Sequence, residues 1–319
     1  MVSRIKRTLR RIISSPFANR QKALIWVGRA RAAGLRLRAS DLFLDLERGD
    51  TVLRIRSAHI IYLPHMIENF DYYINSVVPV KDGSKQIVDM SGPRYHRLIG
   101  FGDIPFLFPS HTEPYETTRE YLEFADLKEG HTVLDIGAYS GVTSIIFAQL
   151  VGPTGHVYAF EADETNYACA KINVEMAERV MGLSNITLFH KAIWSHNDGV
   201  LFSNEGAMGS SAVAITGGGR GKEVTVPSTS LESFLSEAGL KHVDFIKVDI
   251  EGGETELLKN SAIFMKSVDA KLIIEPHRMN GKLNTEECRR SLESAGYAVH
   301  VRDKLEASEP LIEALPAPR

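Results

Sequence analysis

The residues best equipped for chemistry stand at the ends of short apolar runs. Asp135 interrupts Val133-Leu134-Asp135-Ile136 just before Gly137, Glu161 closes Tyr158-Ala159-Phe160, Asp249 and Glu251 follow Phe245-Ile246-Lys247-Val248, and Glu275 and His277 follow Lys271-Leu272-Ile273-Ile274. Runs of this kind predict strands covered on both faces, as in a parallel sheet. Ligands of an open α/β sheet bind beyond the carboxyl ends of its strands, so these groups are expected to converge on one edge.

An imidazole with an ordinary pKa of about 6.5 suits general-base work near neutral pH. His277 is therefore the candidate base for removing a proton from a hydroxyl, with Asp249 or Glu275 orienting it. The same three side chains would also serve a divalent cation. Their spacing compels no metal, and none is assigned.

Gly137-Ala138-Tyr139-Ser140-Gly141 joins the first of these runs to a helical apolar pattern that starts at Val142. A strand, a glycine turn and a helix N-terminus cradle nucleotides. The spacing is not the GxGxxG of a dinucleotide fold, and Asp135 just ahead of the turn would repel phosphate. A carboxylate there suits a ligand that carries an ammonium and a sulfonium, as S-adenosylmethionine does. Glu161, 24 positions after Gly137, is placed to accept both hydroxyls of an adenosine ribose. Asp163 has the position of a helix cap.

The elements that hold these residues follow from periodicity. Strands are predicted over 156–161, 185–190, 243–249, 271–275 and 297–302, and helices over 113–127, 163–180 and 285–295, an α/β alternation that implies a doubly wound parallel sheet. The glycine-rich stretch between His190 and Glu223 is expected to be a mobile loop. Upstream, Leu44 and Leu46 alternate with acids, and Leu53 and Ile55 with arginines, around Arg48-Gly49-Asp50-Thr51. That predicts a hairpin. A helix is expected over 66–77, and short strands over 86–90 and 95–99.

Residues 1–38 carry eleven Lys and Arg and no acid, leaving 26 basic residues against all 40 acids in the remainder. The acidic body argues against nucleic-acid binding. Residues 1–13 have the pattern of a basic amphipathic helix suited to an anionic membrane surface. No apolar run approaches the roughly 20 residues that span a bilayer, and two distant cysteines, Cys169 and Cys288, fit a reducing compartment. Three parts are expected: a basic arm over 1–38, a small α+β accessory region over 39–112, and the catalytic domain over 113–319.

With these motifs assembled, residues from about 113 to 280 resemble the FkbM family of S-adenosylmethionine-dependent methyltransferases. The resemblance rests on VLDIGAYSG, GPTGHVYAFEADETNYACAKINV, LSNITLFHKAIWS, GSSA, VPSTSLESFL, VDFIKVDIEGGETELLKNS and LIIEPH, in the family's order and spacing. It implies a class I methyltransferase fold, Rossmann-like, with seven strands of which one is antiparallel, and O-methylation of sugars or polyketide-type products. It assigns Asp135, Gly137, Ala138 and Gly141 to the methionine end of the cofactor, Glu161 to the ribose and Ala192 to the adenine side. Asp249 falls where the cofactor amine meets the acceptor. Tyr139, where the family usually has Asn, and Ala162-Asp163, in place of Pro-Asn, complete the cofactor set with two departures. Gly209-Ser210-Ser211 is placed as a loop near the site.

The expectation is a cytoplasmic O-methyltransferase acting on a sugar, glycan or glycosylated metabolite, with the basic N-terminus available for a membrane surface. The rivals are a cofactor-binding scaffold without turnover and an NAD-dependent oxidoreductase, the latter disfavoured by Asp135.

Overall fold

The structure, a computed structural model, describes residues 16–113, 116–216, 222–279, 282–302 and 310–317. The basic helix expected over 1–13 and the glycines of 217–221 lie outside the described residues. The chain divides into two units, Met1–Thr117 and Thr118–Arg319.

The first unit holds a five-stranded sheet ordered Arg36–Ala39, Phe43–Arg48, Thr51–Arg56, Lys85–Met90, Val80–Asp82. The expected hairpin pairs Leu44 with Ile55 and Leu46 with Leu53, all four buried. The arm does not end at residue 38. Arg36–Ala39 pairs antiparallel with Phe43–Arg48, and Ala23, Ala30 and Leu35 are buried, so residues 16–39 belong to this unit's fold. Arginines on an edge strand keep it from pairing further, which is why the segment reads as a separate basic tail. The helix expected over 66–77 is two, Leu63–Glu68 and Phe70–Ser76. Asn69 breaks it, its side-chain amide donating to the His65 carbonyl at 3.1 Å alongside its own backbone N–H; short amides compete with the helix ladder in this way.

The second unit is built on seven strands: β1 Thr132–Ile136, β2 His156–Glu161, β3 Ile186–His190, β4 Phe245–Val248, β5 Lys271–Ile274, β6 Tyr297–Arg302 and β7 Leu311–Pro316. Their spatial order is β3-β2-β1-β4-β5-β7-β6, parallel except for β7. Helices α1 Glu116–Ala125, α2 Val142–Val151, α3 Glu164–Met181, α4 Leu231–Glu237, α5 Glu254–Ser267 and α6 Thr285–Ser294 accompany them. This is the class I methyltransferase arrangement expected from the resemblance.

Alternation along β1 and β4 sorts the core into two faces. Leu134, Ile136, Ile246 and Val248 pack with Phe234, Leu257 and Leu258 of α4 and α5. Val133 and Phe245 pack with Tyr121, Phe147 and Ala148 of α1 and α2. The odd members of this second face are Asp135 and Lys247, direct neighbours in the register. Burial of each large apolar side chain contributes about 1.5–3 kcal/mol, enough for the surrounding core to hold two buried charges in place.

The stretch between His190 and Glu223 is not a single loop. Ala192–Trp194 pairs with Ser228–Ser230, and Val200–Asn204 is the centre of a three-stranded sheet with Ser211–Ala212 and Lys222–Val226. Trp194, Val200, Phe202, Ala212 and Val226 bury one side of it. The surrounding glycines mask the alternation of Val200 and Phe202. No helix among the described residues is long and apolar enough to cross a membrane.

Candidate functional site

The turn after β1 is locked by its neighbours. Gly137 has φ +92°, and a Cβ there would lie 1.8 Å from the Asp249 carbonyl oxygen; only glycine fits the conformation and the space. The amides of Gly137 and Ala138 both donate to the Phe160 carbonyl, at 3.0 and 2.8 Å. Gly141, at φ +76°, caps α2, and Asn173 of α3 donates to the Ser140 carbonyl at 2.8 Å. Tyr139 occupies the left-handed region at φ 51°, where Asn is tolerated and a bulky residue is strained.

Glu161 fastens this turn to the next. It accepts the Tyr139 amide at 2.7 Å and the Asp163 amide at 2.8 Å, and is 7% exposed. Burial, with the Asp163 charge adding to it, pushes its carboxyl up to about 8 despite those two donors. A carboxylate has about four acceptor sites, so two remain for ribose hydroxyls. Asp163 is the helix cap expected: one oxygen accepts the Thr165 and Asn166 amides, the other the Gly206 amide and the Ser210 hydroxyl at 2.7 Å. Ser211 donates to the Glu251 carbonyl at 2.7 Å. The Gly209-Ser210-Ser211 loop thus ties the β2 end of the site to the β4 end. Ala162 and Ala192 pack against the Trp194 cluster, and His190, stacked on Tyr167, lies 3.2 Å from the Ala162 carbonyl.

Asp135 departs from expectation. Its side chain is fully buried, one oxygen 3.1 Å from the Lys247 ammonium and the other accepting from Ser144 at 2.5 Å. It therefore does not offer its carboxylate to a ligand. Lys247 also bonds the Gly137 carbonyl and lies 3.5 Å from Asp249. Desolvation alone would lower its pKa; Asp135 and Asp249 more than reverse that and keep it charged. The pair acts on the turn from beneath. A lysine within Phe-Ile-Lys-Val, in register with the acid, is the signal that the sequence holds for it.

Asp249, Glu251 and His277 come together at the ends of β4 and β5. His277 Nε2 lies 3.7 Å from Asp249 Oδ1 and 3.7 Å from Glu251 Oε1. Its Nδ1 is held by Glu254 at 2.9 Å, itself fully buried and bonded to Asn284 and to the amides of Ile250 and Gly252. Glu254, unforeseen in the sequence, therefore does the orienting expected of Asp249 or Glu275. Glu275 instead accepts from Tyr121 at 2.7 Å, and Tyr121 also reaches Asp249 at 3.2 Å. Burial would lower the His277 pKa, but Glu251, Glu254 and Asp249 raise it well above its ordinary value. Burial also raises Glu251, to about 8.

A glycine turn, a buried carboxylate closing β2 and a polar cluster at the ends of β4 and β5 lie along one edge of a β3-β2-β1-β4-β5-β7-β6 sheet, the arrangement of the S-adenosylmethionine-dependent methyltransferase class. The methyltransferase FkbM domain matches residues 135–299, more than half of the chain, and the chain belongs to that family. S-adenosylmethionine is accordingly its cofactor. Over 99 residues the chain is 42% identical to a protein-L-isoaspartate O-methyltransferase of Methanosarcina mazei, covering 30% of this chain and 39% of that protein. Another of that name, from Methanothrix thermoacetophila, is 40% identical over 55 residues, 17% of this chain and 26% of its own length. The chain thus spans at most about two fifths of these relatives. Among solved structures, the methyltransferase FkbM of Methylobacillus flagellatus is 15% identical with a TM-score of 0.44, covering 61% of this chain and 50% of that one. An S-adenosylmethionine-dependent O-methyltransferase of Thermotoga maritima is 15% identical with a TM-score of 0.43, covering 66% and 68%.

Proposed function

We propose that the protein transfers the methyl group of S-adenosylmethionine to a hydroxyl oxygen of a sugar, a glycan, or a glycosylated or polyketide-type metabolite. The observation that carries this is the close approach of Gly137 to the Asp249 backbone, which sets the cofactor's turn beside the Asp249–Glu251–His277 cluster. A donor seated on the one directs its methyl toward an acceptor held by the other. In the transfer the acceptor oxygen forms a bond to the methyl carbon as the carbon–sulfur bond breaks; the sulfonium becomes a neutral thioether, and the hydroxyl proton leaves. Holding donor and acceptor in line is the main source of acceleration for such a displacement.

The relatives named for isoaspartyl residues raise a second reading, with a carboxylate as the acceptor. The carboxyl groups of Asp249 and Glu275 disfavour an anionic acceptor at this edge, which supports the hydroxyl. The test is calorimetric titration of the purified chain with S-adenosylmethionine, beside Glu161→Ala, followed by transfer of labelled methyl to a panel of sugars, glycosides and an isoaspartyl peptide. Micromolar binding that Glu161→Ala weakens, with label on a hydroxyl compound, is the expected result. Binding without transfer to any compound would favour the scaffold. Absence of binding by the intact chain would sink the donor assignment.

A further inference from the structure

The geometry points to a divalent-cation site formed by Asp249, Glu251 and His277, at the acceptor end of the reading proposed above and dependent on that reading for its role. Glu251 and His277 come from separate chain segments, and donor atoms of all three side chains lie within 4.8 Å of one another. The imidazole-to-carboxylate separations of 3.7 Å are too long for hydrogen bonds. Three atoms 3.7 to 4.8 Å apart enclose a point roughly 2.1–2.4 Å from each, the metal–oxygen range from magnesium to calcium.

The imidazole is also prepared as a ligand. Glu254 takes Nδ1 and leaves Nε2 facing the two carboxylates, and Asn284 and two backbone amides fix Glu254 in turn. A carboxylate behind a histidine is the usual support of a metal-bound imidazole, setting its tautomer and aiming its second nitrogen. Two carboxylate oxygens and one imidazole nitrogen form a hard, mixed donor set that suits Mg²⁺ or Mn²⁺ and leaves positions open for substrate oxygens. A sugar hydroxyl, or a vicinal pair of them, would fill those positions. The cation would stabilise the alkoxide as its proton passes to solvent, an effect known from metal-bound water. Asp249 also faces Lys247 and Tyr121, so its carboxylate is held rather than swinging.

The test reads metal and cofactor separately. The full chain, freed of metal with a chelator, is titrated with Mn²⁺ and the loss of the free-ion resonance signal is followed, with Mg²⁺ as competitor. Glu251→Gln and His277→Gln are titrated alongside, and S-adenosylmethionine binding is measured calorimetrically on all three proteins. The expected result is saturable Mn²⁺ binding, displaced by Mg²⁺ and weakened about tenfold or more in both variants, with S-adenosylmethionine affinity retained within about twofold. Absence of saturable binding in the parent, or equal binding by parent and variants, would overturn the site. Mn²⁺ binding without cofactor binding would uphold the cation site and sink the donor assignment, so the two failures are distinguishable.

Discussion

Lys247 and Asp135 face each other across β4 and β1 in direct register, their charges 3.1 Å apart and both side chains buried. An ion pair taken out of water contributes little net stability as a pair, but losing one partner strands the other at a cost of about 3–5 kcal/mol. Lys247→Met should therefore destabilise the fold by about that much, and also release the Gly137 carbonyl. Asp135→Asn in the same background removes the stranded charge and keeps an acceptor for Ser144. Urea unfolding of the parent, both single variants and the double variant should show the double variant less destabilised than the sum of the singles. Simple additivity would mean that the two groups do not act as a pair.

Gly137 tests a different constraint, because two effects coincide there and can be separated. At Gly182, φ is +71° and an added Cβ would meet nothing within 4 Å, so Gly182→Ala bears only the conformational cost of about 1–2 kcal/mol. Gly137→Ala meets a backbone oxygen at 1.8 Å in addition. It should lose more than about 4 kcal/mol or fail to fold, and where it folds it should lose cofactor binding. Equal denaturation midpoints for the two variants would show that the turn yields easily.

These two positions also show how far the sequence can be read. The glycine turn, the ribose acid and the strands bearing them are local patterns, legible because strand ends and tight turns leave their mark within a few residues. What stays hidden depends on pairing across the chain. Lys247 stands out as a lone charge in an otherwise apolar run, but its partner follows only once β4 lies beside β1. Glu254 is a helix-start acid in sequence, and it becomes the support of His277 only because the start of α5 meets the segment that follows β5. Strand β7 inserts between β5 and a strand that precedes it in the chain, an order that no periodicity encodes. Asp135 reads as a ligand acid for the same reason: its partners come from elsewhere in the sequence.

Tyr139 sits at φ 51° in the turn, a conformation that Asn adopts at lower cost because its short amide bonds locally. Tyr139→Asn, the residue usual in the family, should raise stability by about 0.5–1 kcal/mol, visible as a melting temperature higher by a few degrees. A lower melting temperature would show that packing of the phenol ring outweighs the backbone strain, and would make the tyrosine a structural element of the pocket.

Glu161 makes stability depend on pH with a sign that follows from its environment. Burial, and then the Asp163 charge, push its folded pKa up to about 8, above the value near 4.5 of a free carboxyl. Between those limits the folded protein holds a proton that the unfolded chain has released, so this contribution is complete below about pH 4.5 and is lost as pH rises through about 8. The limiting slope is about 1.4 kcal/mol per pH unit. Glu161→Gln keeps the shape and removes the titration, so the stability difference between parent and variant should change with pH in that window and level off above it. Ribose hydroxyls donating to the carboxylate favour its ionised form. S-adenosylmethionine binding by the parent should accordingly release protons near neutral pH and tighten as pH rises toward about 8, and Glu161→Gln should lose both effects. Calorimetry in two buffers of different ionisation enthalpy measures the release directly. Proton uptake on binding, or a release that persists in Glu161→Gln, would place the titrating group elsewhere in the site.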